Sequence, residues 1–144
     1  MVIAKKLNTM DTISNTIIQI KNASNAGHKS VSMPYSNLRK SILEVLKKEN
    51  FIKDFKERLI DGKKGLMVEL IFDEARLETG RKAPRIKGVE RYSKPSKRVY
   101  KKSSDIHPVK NGYGTLVIST SAGVMSGREA KKSGLGGETL FAIW

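Results

Sequence analysis

Three consecutive hydroxyl side chains, Ser119-Thr120-Ser121, follow the apolar run Leu116-Val117-Ile118 and precede Gly123. Short hydroxyl side chains at a strand end can donate to phosphate and 2′-oxygens and accept from base amino groups, and they let a backbone approach closely. The same residue types also satisfy local backbone in ordinary turns, and spacing alone leaves both readings open. Further on, Gly136-Gly137-Glu138 sets one carboxylate in a strongly basic region. It either balances neighbouring lysines or accepts from a base amino group, as carboxylates do from cytosine. Catalysis has little to stand on. His28 and His107 fall in predicted loops far apart in sequence, without metal-ligand spacing, and the acids are interleaved with bases, as in Asp54-Phe55-Lys56-Glu57-Arg58. No phosphate-loop, dinucleotide or nucleophile-elbow motif occurs. No catalytic residue, cofactor or metal is therefore expected.

Charge points the same way. The 144 residues hold 28 Lys and Arg against 14 acids, a net of +14, which calls for a polyanionic partner. Between Arg81 and Lys102 stand ten basic residues and one acid, Glu90, so this short strip alone carries +9. A concentrated strip is a better nucleic-acid footprint than a diffuse excess, and its Tyr92 and Tyr100 are placed to stack on bases or riboses. The alternative is a solvated basic loop with two core tyrosines. Cysteine is absent, which excludes disulfides and thiolate chemistry and fits a reducing interior. The amino terminus has no secretory apolar core and no run is long enough to span a membrane, so a soluble cytosolic protein without membrane contact is expected.

The elements that must position these residues divide at a polar boundary, Asp73 to Pro84. Before it, Ile13, Ile17 and Ile20 fall at helical spacing behind Asp11, a candidate N-cap. A short strand at Lys29–Met33 precedes a second helix, capped by Ser36 and ended by Asn50, with Leu38, Ile42, Val45, Leu46 and Glu49 along one side, all but Glu49 apolar. Two arms, Phe51–Ile60 and Leu66–Phe72, flank Asp61-Gly62-Lys63-Lys64-Gly65 as a β-hairpin with a five-residue loop. After the boundary the texture is β-rich, with strands expected at Arg85–Tyr92, Thr115–Ser119 and Thr139–Trp144. A turn or a single helical turn is read at Ser103–Asn111, and a short helix opens at Ser126 and Glu129 and stops at Gly134. The fold class is α+β: an N-terminal helix-strand-helix-strand-strand domain, residues 1–80, packed with a β-rich C-terminal domain, residues 81–144, that binds RNA.

The C-terminal order of Gly112-Tyr113-Gly114, Ser119-Thr120-Ser121, Gly123-Val124-Met125 and Gly136-Gly137-Glu138 resembles the signature of the bacterial-type small-subunit ribosomal protein eight family. Met10-Asp11-Thr12-Ile13, Pro34-Tyr35-Ser36, Glu49-Asn50-Phe51-Ile52 and the stretch Ser93 to Tyr100 are similar to it as well, so the likeness runs from about Thr9 to Trp144. The resemblance implies two packed α/β and β-rich domains. It implies direct, early binding to the central domain of small-subunit ribosomal RNA, at a distorted region of a stem, largely through the C-terminal half. Ser119, Thr120 and Ser121 would contact the RNA core with Glu138 nearby, and Lys94, Pro95 and Tyr100 would line the same surface. Lys97 and Arg98 of that stretch belong to the basic strip, whose role is phosphate binding. Neighbouring small-subunit proteins, and the chain's own messenger RNA, are further partners the family implies, in the cytoplasm or an organelle. Ser96 departs from the family, which usually has Gly there, and the leader before residue 8, Leu77–Pro84 and Ile106-His107-Pro108 look like variants.

The reading is a non-enzymatic ribosomal RNA-binding protein that promotes small-subunit assembly. An RNA-acting enzyme would need a base or metal cluster that the chain lacks. A DNA-compacting protein would prefer duplex DNA and show no RNA site preference.

Overall fold

Three residues in the left-handed backbone region terminate the helices of the computed structural model, which describes residues 12–76, 78, 80 and 82–144. Gly27 (φ 80°) ends α1 (Thr12–Asn25), Asn50 (φ 62°) ends α2 (Asn37–Lys48) and Gly134 (φ 69°) ends α3 (Gly127–Lys132). In each case this residue and its successor return their N–H groups to the last turn. Gly27 and His28 reach Ser24 and Ala23, Asn50 and Phe51 reach Lys47 and Leu46, and Gly134 and Leu135 reach Lys131 and Ala130. This is the Schellman arrangement, which satisfies carbonyls the helix itself cannot. At the opposite ends, the Ser36 and Ser126 hydroxyls accept from the Arg39 and Glu129 amides, as expected of N-caps. The expected Asp11 cap and the leader lie outside the described residues.

The chain divides into two units, one of residues 16–87 and the other of 12–15 with 88–144. The expected division at 80/81 falls between two strands of the first unit. β4 (Phe72–Arg76), which starts on the last residue of the expected hairpin arm and runs into the polar stretch, pairs antiparallel with β5 (Lys82–Pro84).

In the first unit β1 (Ser30–Pro34), β3 (Lys63–Leu70) and β2 (Ile52–Ile60) form an antiparallel sheet in that order. Pro34 is tolerated because β1 is an edge strand. Leu66, Val68 and Leu70 of the central strand are buried at period two, and α2 buries Ile42, Leu43, Val45 and Leu46. Arg39, also buried, ties the helices together by donating from Nε to Thr16 Oγ1 at 3.0 Å. The expected five-residue hairpin loop is in fact two residues long. Asp61 and Gly62 both take positive φ, 52° and 78°, so Lys63 and Lys64 pair with Ile60 and Leu59 instead of looping out. Asp-Gly suits the two-residue turn whose twist matches the strands.

The second unit is a five-stranded antiparallel sheet built around β10 (Gly137–Ile143). β8 (Thr115–Thr120) lies on one side of β10, continued by β9 (Gly123–Ser126). On the other side β6 (Val89–Arg91) pairs with the C-terminal half of β10 and β7 (Tyr100–Lys101) with its start. The expected strand Arg85–Tyr92 shortens to β6, because Arg85, Ile86 and Lys87 belong to the first unit. Ile106, Leu116, Ile118 and Ala130 form a core between sheet and α3, with Tyr92, Val109 and Met125 packed against it. The architecture is α+β, as expected. Among the described residues no helix is long and apolar enough to cross a membrane.

Candidate nucleic-acid interface

Strand register brings three of the expected site residues into one row. Glu138 on β10 stands opposite Ser119 on β8 and, on its other side, opposite Tyr100 on β7. Directly paired residues share a sheet face, so hydroxyl, carboxylate and phenol are presented together. Tyr100 is 69% exposed, which suits a stacking surface. Tyr92 differs: it is half-buried against the core, and burial, then Glu90, raise its phenol pKa.

The two glycines before Glu138 are required by this closeness rather than by an unusual φ. A Cβ on Gly137 would sit 2.0 Å from the Ser119 carbonyl oxygen, and one on Gly136 would sit 2.5 Å from that of Lys101. Gly136 thus admits the backbone on one side and Gly137 that on the other. The carboxylate that follows accepts from Arg98 Nη1 through Oε2 at 3.2 Å. Within the chain the carboxylate thus has a charge partner, Arg98 rather than a lysine.

The three hydroxyls have different roles. Thr120 Oγ1 donates to the Gly123 carbonyl at 2.9 Å and accepts from the Ala122 amide at 3.1 Å, closing the β8–β9 turn. Ser119 and Ser121 make no side-chain hydrogen bond among the described residues, and Ser121 is exposed at the turn. The sequence run therefore splits into Thr120, which builds the turn, Ser121, which the turn exposes, and Ser119, half-buried in β8.

Lys94 and Lys97 are held by a second tight turn. Their backbones exchange both hydrogen bonds, at 2.8 and 3.0 Å, across Pro95 and Ser96. Pro95 fits the first central position, where φ is pre-set, and Ser96 does not take positive φ, so Gly is not needed there. Lys94, Pro95, Lys97 and Arg98 are all exposed. The base of this turn is pinned by residues the sequence reading did not single out. Buried Ser93 donates through Oγ to the Val99 carbonyl at 3.2 Å and accepts the Val99 amide at 2.9 Å. The Val99 carbonyl also accepts from the Thr139 amide and hydroxyl, and Arg91 donates to the Ser93 carbonyl and to Ser14. A serine before Lys-Pro looks like any other turn serine in a sequence. Its burial is visible only once β10 has placed Thr139 beside it.

The basic strip is divided between the two units. Arg85 lies over the Phe51 ring at 4.3 Å and Lys87 pairs with Asp73 at 2.8 Å, both inside the first unit. Arg91 is a structural donor. Lys94, Lys97, Arg98, Lys101 and Lys102 remain exposed in the second unit, around the Ser119–Glu138–Tyr100 row in chain order and register. No group of three or more His, Asp or Glu side chains that could hold a metal occurs among the described residues.

A family model described as ribosomal protein S8 matches residues 11–144. Among curated relatives, a small ribosomal subunit protein uS8 of Bdellovibrio bacteriovorus is 45% identical over 94% of this chain and 100% of its own length. Its counterparts in Kosmotoga olearia and Corynebacterium jeikeium are 38% and 40% identical, over 93% of this chain and 98% and 97% of theirs.

Proposed function

The chain belongs to the ribosomal protein S8 family, and on that premise we propose that it binds the central domain of small-subunit ribosomal RNA and promotes small-subunit assembly. As a member of this family it is a structural ribosomal protein, not an enzyme, and its place is the small ribosomal subunit. The observation that carries the RNA reading is the row Ser119–Glu138–Tyr100, flanked by the exposed Lys94–Arg98 turn. Phosphate contacts from the turn supply orientation and most of the affinity, while Ser119, Ser121 and the carboxylate discriminate by hydrogen bonds. Thr120 acts by holding Ser121 in place. Neighbouring ribosomal proteins and the chain's own messenger RNA are partners of the same reading, the messenger through the same surface.

The test is equilibrium binding to a central-domain fragment and to a scrambled stem of equal length, across salt. Preference for the cognate stem at every salt concentration supports site-specific binding. Equal affinities that collapse together would leave only a basic surface and favour the DNA-compaction reading.

A further inference from the structure

The end of the second sheet remote from Ser119 carries an apolar cleft of about 230 Å³, floored by Ile106, Leu116 and Gly127. Gly127 keeps it open, since a Cβ there would come within 3.1 Å of the Leu116 side chain and 3.2 Å of Ile106. Its rim is basic. Arg128 Nη2 donates to the Gly112 carbonyl at 2.6 Å and Lys131 Nζ to that of Ile106 at 3.0 Å, which fixes both cations beside the opening. The Lys131 ammonium keeps further donors for a ligand, and among the described residues no carboxylate lines the cleft. Between two lining glycines, Gly112 and Gly114, the Tyr113 ring is 83% exposed. It is displayed by a loop in which Lys110, Asn111 and Gly112 all take positive φ, a conformation two of them adopt only at a cost.

We propose that this cleft is a second RNA contact, with an unstacked base against its apolar floor, the adjoining phosphate on Arg128 and Lys131, and Tyr113 as a flanking stacking surface. This rests on the RNA-binding reading above. A nucleotide joins a flat, apolar-faced base to an anion in one unit, which is the combination that floor and rim offer. At a rise of about 3.4 Å per residue, the five steps from Thr115, which lines the cleft, to Thr120 separate the two contacts by roughly 17 Å along β8. One folded RNA can span both.

The experiment is photo-crosslinking of the full chain to a 4-thiouridine-substituted central-domain RNA, with crosslinked residues mapped by mass spectrometry. Affinities of Tyr113→Ala and Lys131→Glu are measured on the same RNA. Crosslinks are expected at the cleft as well as at Ser119–Ser121. Each variant should lose the cleft crosslinks and about tenfold in affinity while keeping those at Ser119–Ser121. Crosslinks confined to Ser119–Ser121, with both variants binding as tightly as the parent, would overturn the proposal and leave the cleft to a protein partner. No site-specific crosslink anywhere would overturn the primary reading and this one with it.

Discussion

Gly137 and Ser119 approach so closely that a methyl group on the Gly137 Cα would lie 2.0 Å from the Ser119 carbonyl oxygen. Gly137→Ala must therefore push β8 and β10 apart where the candidate site is built. Overpacking of this kind costs about 1–3 kcal/mol. The check is urea unfolding: a loss in that range is expected, together with weaker cognate RNA binding. An unchanged midpoint would contradict the close approach.

Ser93 offers a test at a buried residue behind the Lys94–Lys97 turn. Ser93→Ala leaves the Val99 amide without its acceptor and removes one donor from the Val99 carbonyl. Stranding a buried donor costs about 1–3 kcal/mol. Stability should fall by that amount, and the loosened Lys94–Lys97 turn should bind all RNAs less tightly. Wild-type stability in the variant would show that the network does not hold the turn.

Thr120 and Ser121 should separate in mutational effect. Thr120→Ala loses the two bonds that close the β8–β9 turn, so thermal stability should drop by about 1 kcal/mol, the net scale of a hydrogen bond. Ser121→Ala should leave stability unchanged and weaken cognate binding alone. Equal stability losses in the two would remove the distinction between builder and displayed residue.

The first unit carries a small acid-side dependence of stability. Asp54 is held below its ordinary pKa by the hydrogen bond from Lys47 and then by the Phe55 amide, and Glu57 by the hydrogen bond from Lys40. A depressed folded pKa means the stabilisation is present above the unfolded value and is lost as pH falls through the folded one. Unfolding midpoints should thus decline as pH drops below about 4.5, the ordinary Glu value. The decline should be shallower in Glu57→Gln. Both side chains remain open to solvent and are screened, so the effect is modest. An identical pH profile in the variant would rule out a contribution from the Lys40 pair.

Much of this was legible in the residues. Asn50 and Gly134 read as helix stops because few residues tolerate a left-handed backbone, and Ser36 and Ser126 read as caps from their hydroxyls. The α2 stripe of Ile42, Val45 and Leu46 followed from period alone. Other features depend on tertiary pairing. Lys63 and Lys64 look like loop residues and become strand because the Asp61-Gly62 turn is tight enough to close without them. Phe72–Arg76 is too polar to announce a strand, and only its pairing with Lys82–Pro84 makes it one. At the site, the three hydroxyls were visible, but their division depended on a turn geometry that composition does not encode. Glu138 was visible too, while its partner Arg98 stands forty residues away and meets it only across the sheet.

The central claim is that Ser119, Ser121 and Glu138 discriminate between RNAs while the Lys94–Arg98 turn supplies general affinity. The most direct test compares Ser121→Ala and Lys97→Ala on cognate and scrambled stems over a range of salt. The account predicts that Ser121→Ala costs about 1–3 kcal/mol on the cognate stem only, on the scale of a direct base contact. Lys97→Ala should weaken both stems alike and reduce the salt slope by about one. Equal losses on both stems for Ser121→Ala would contradict it.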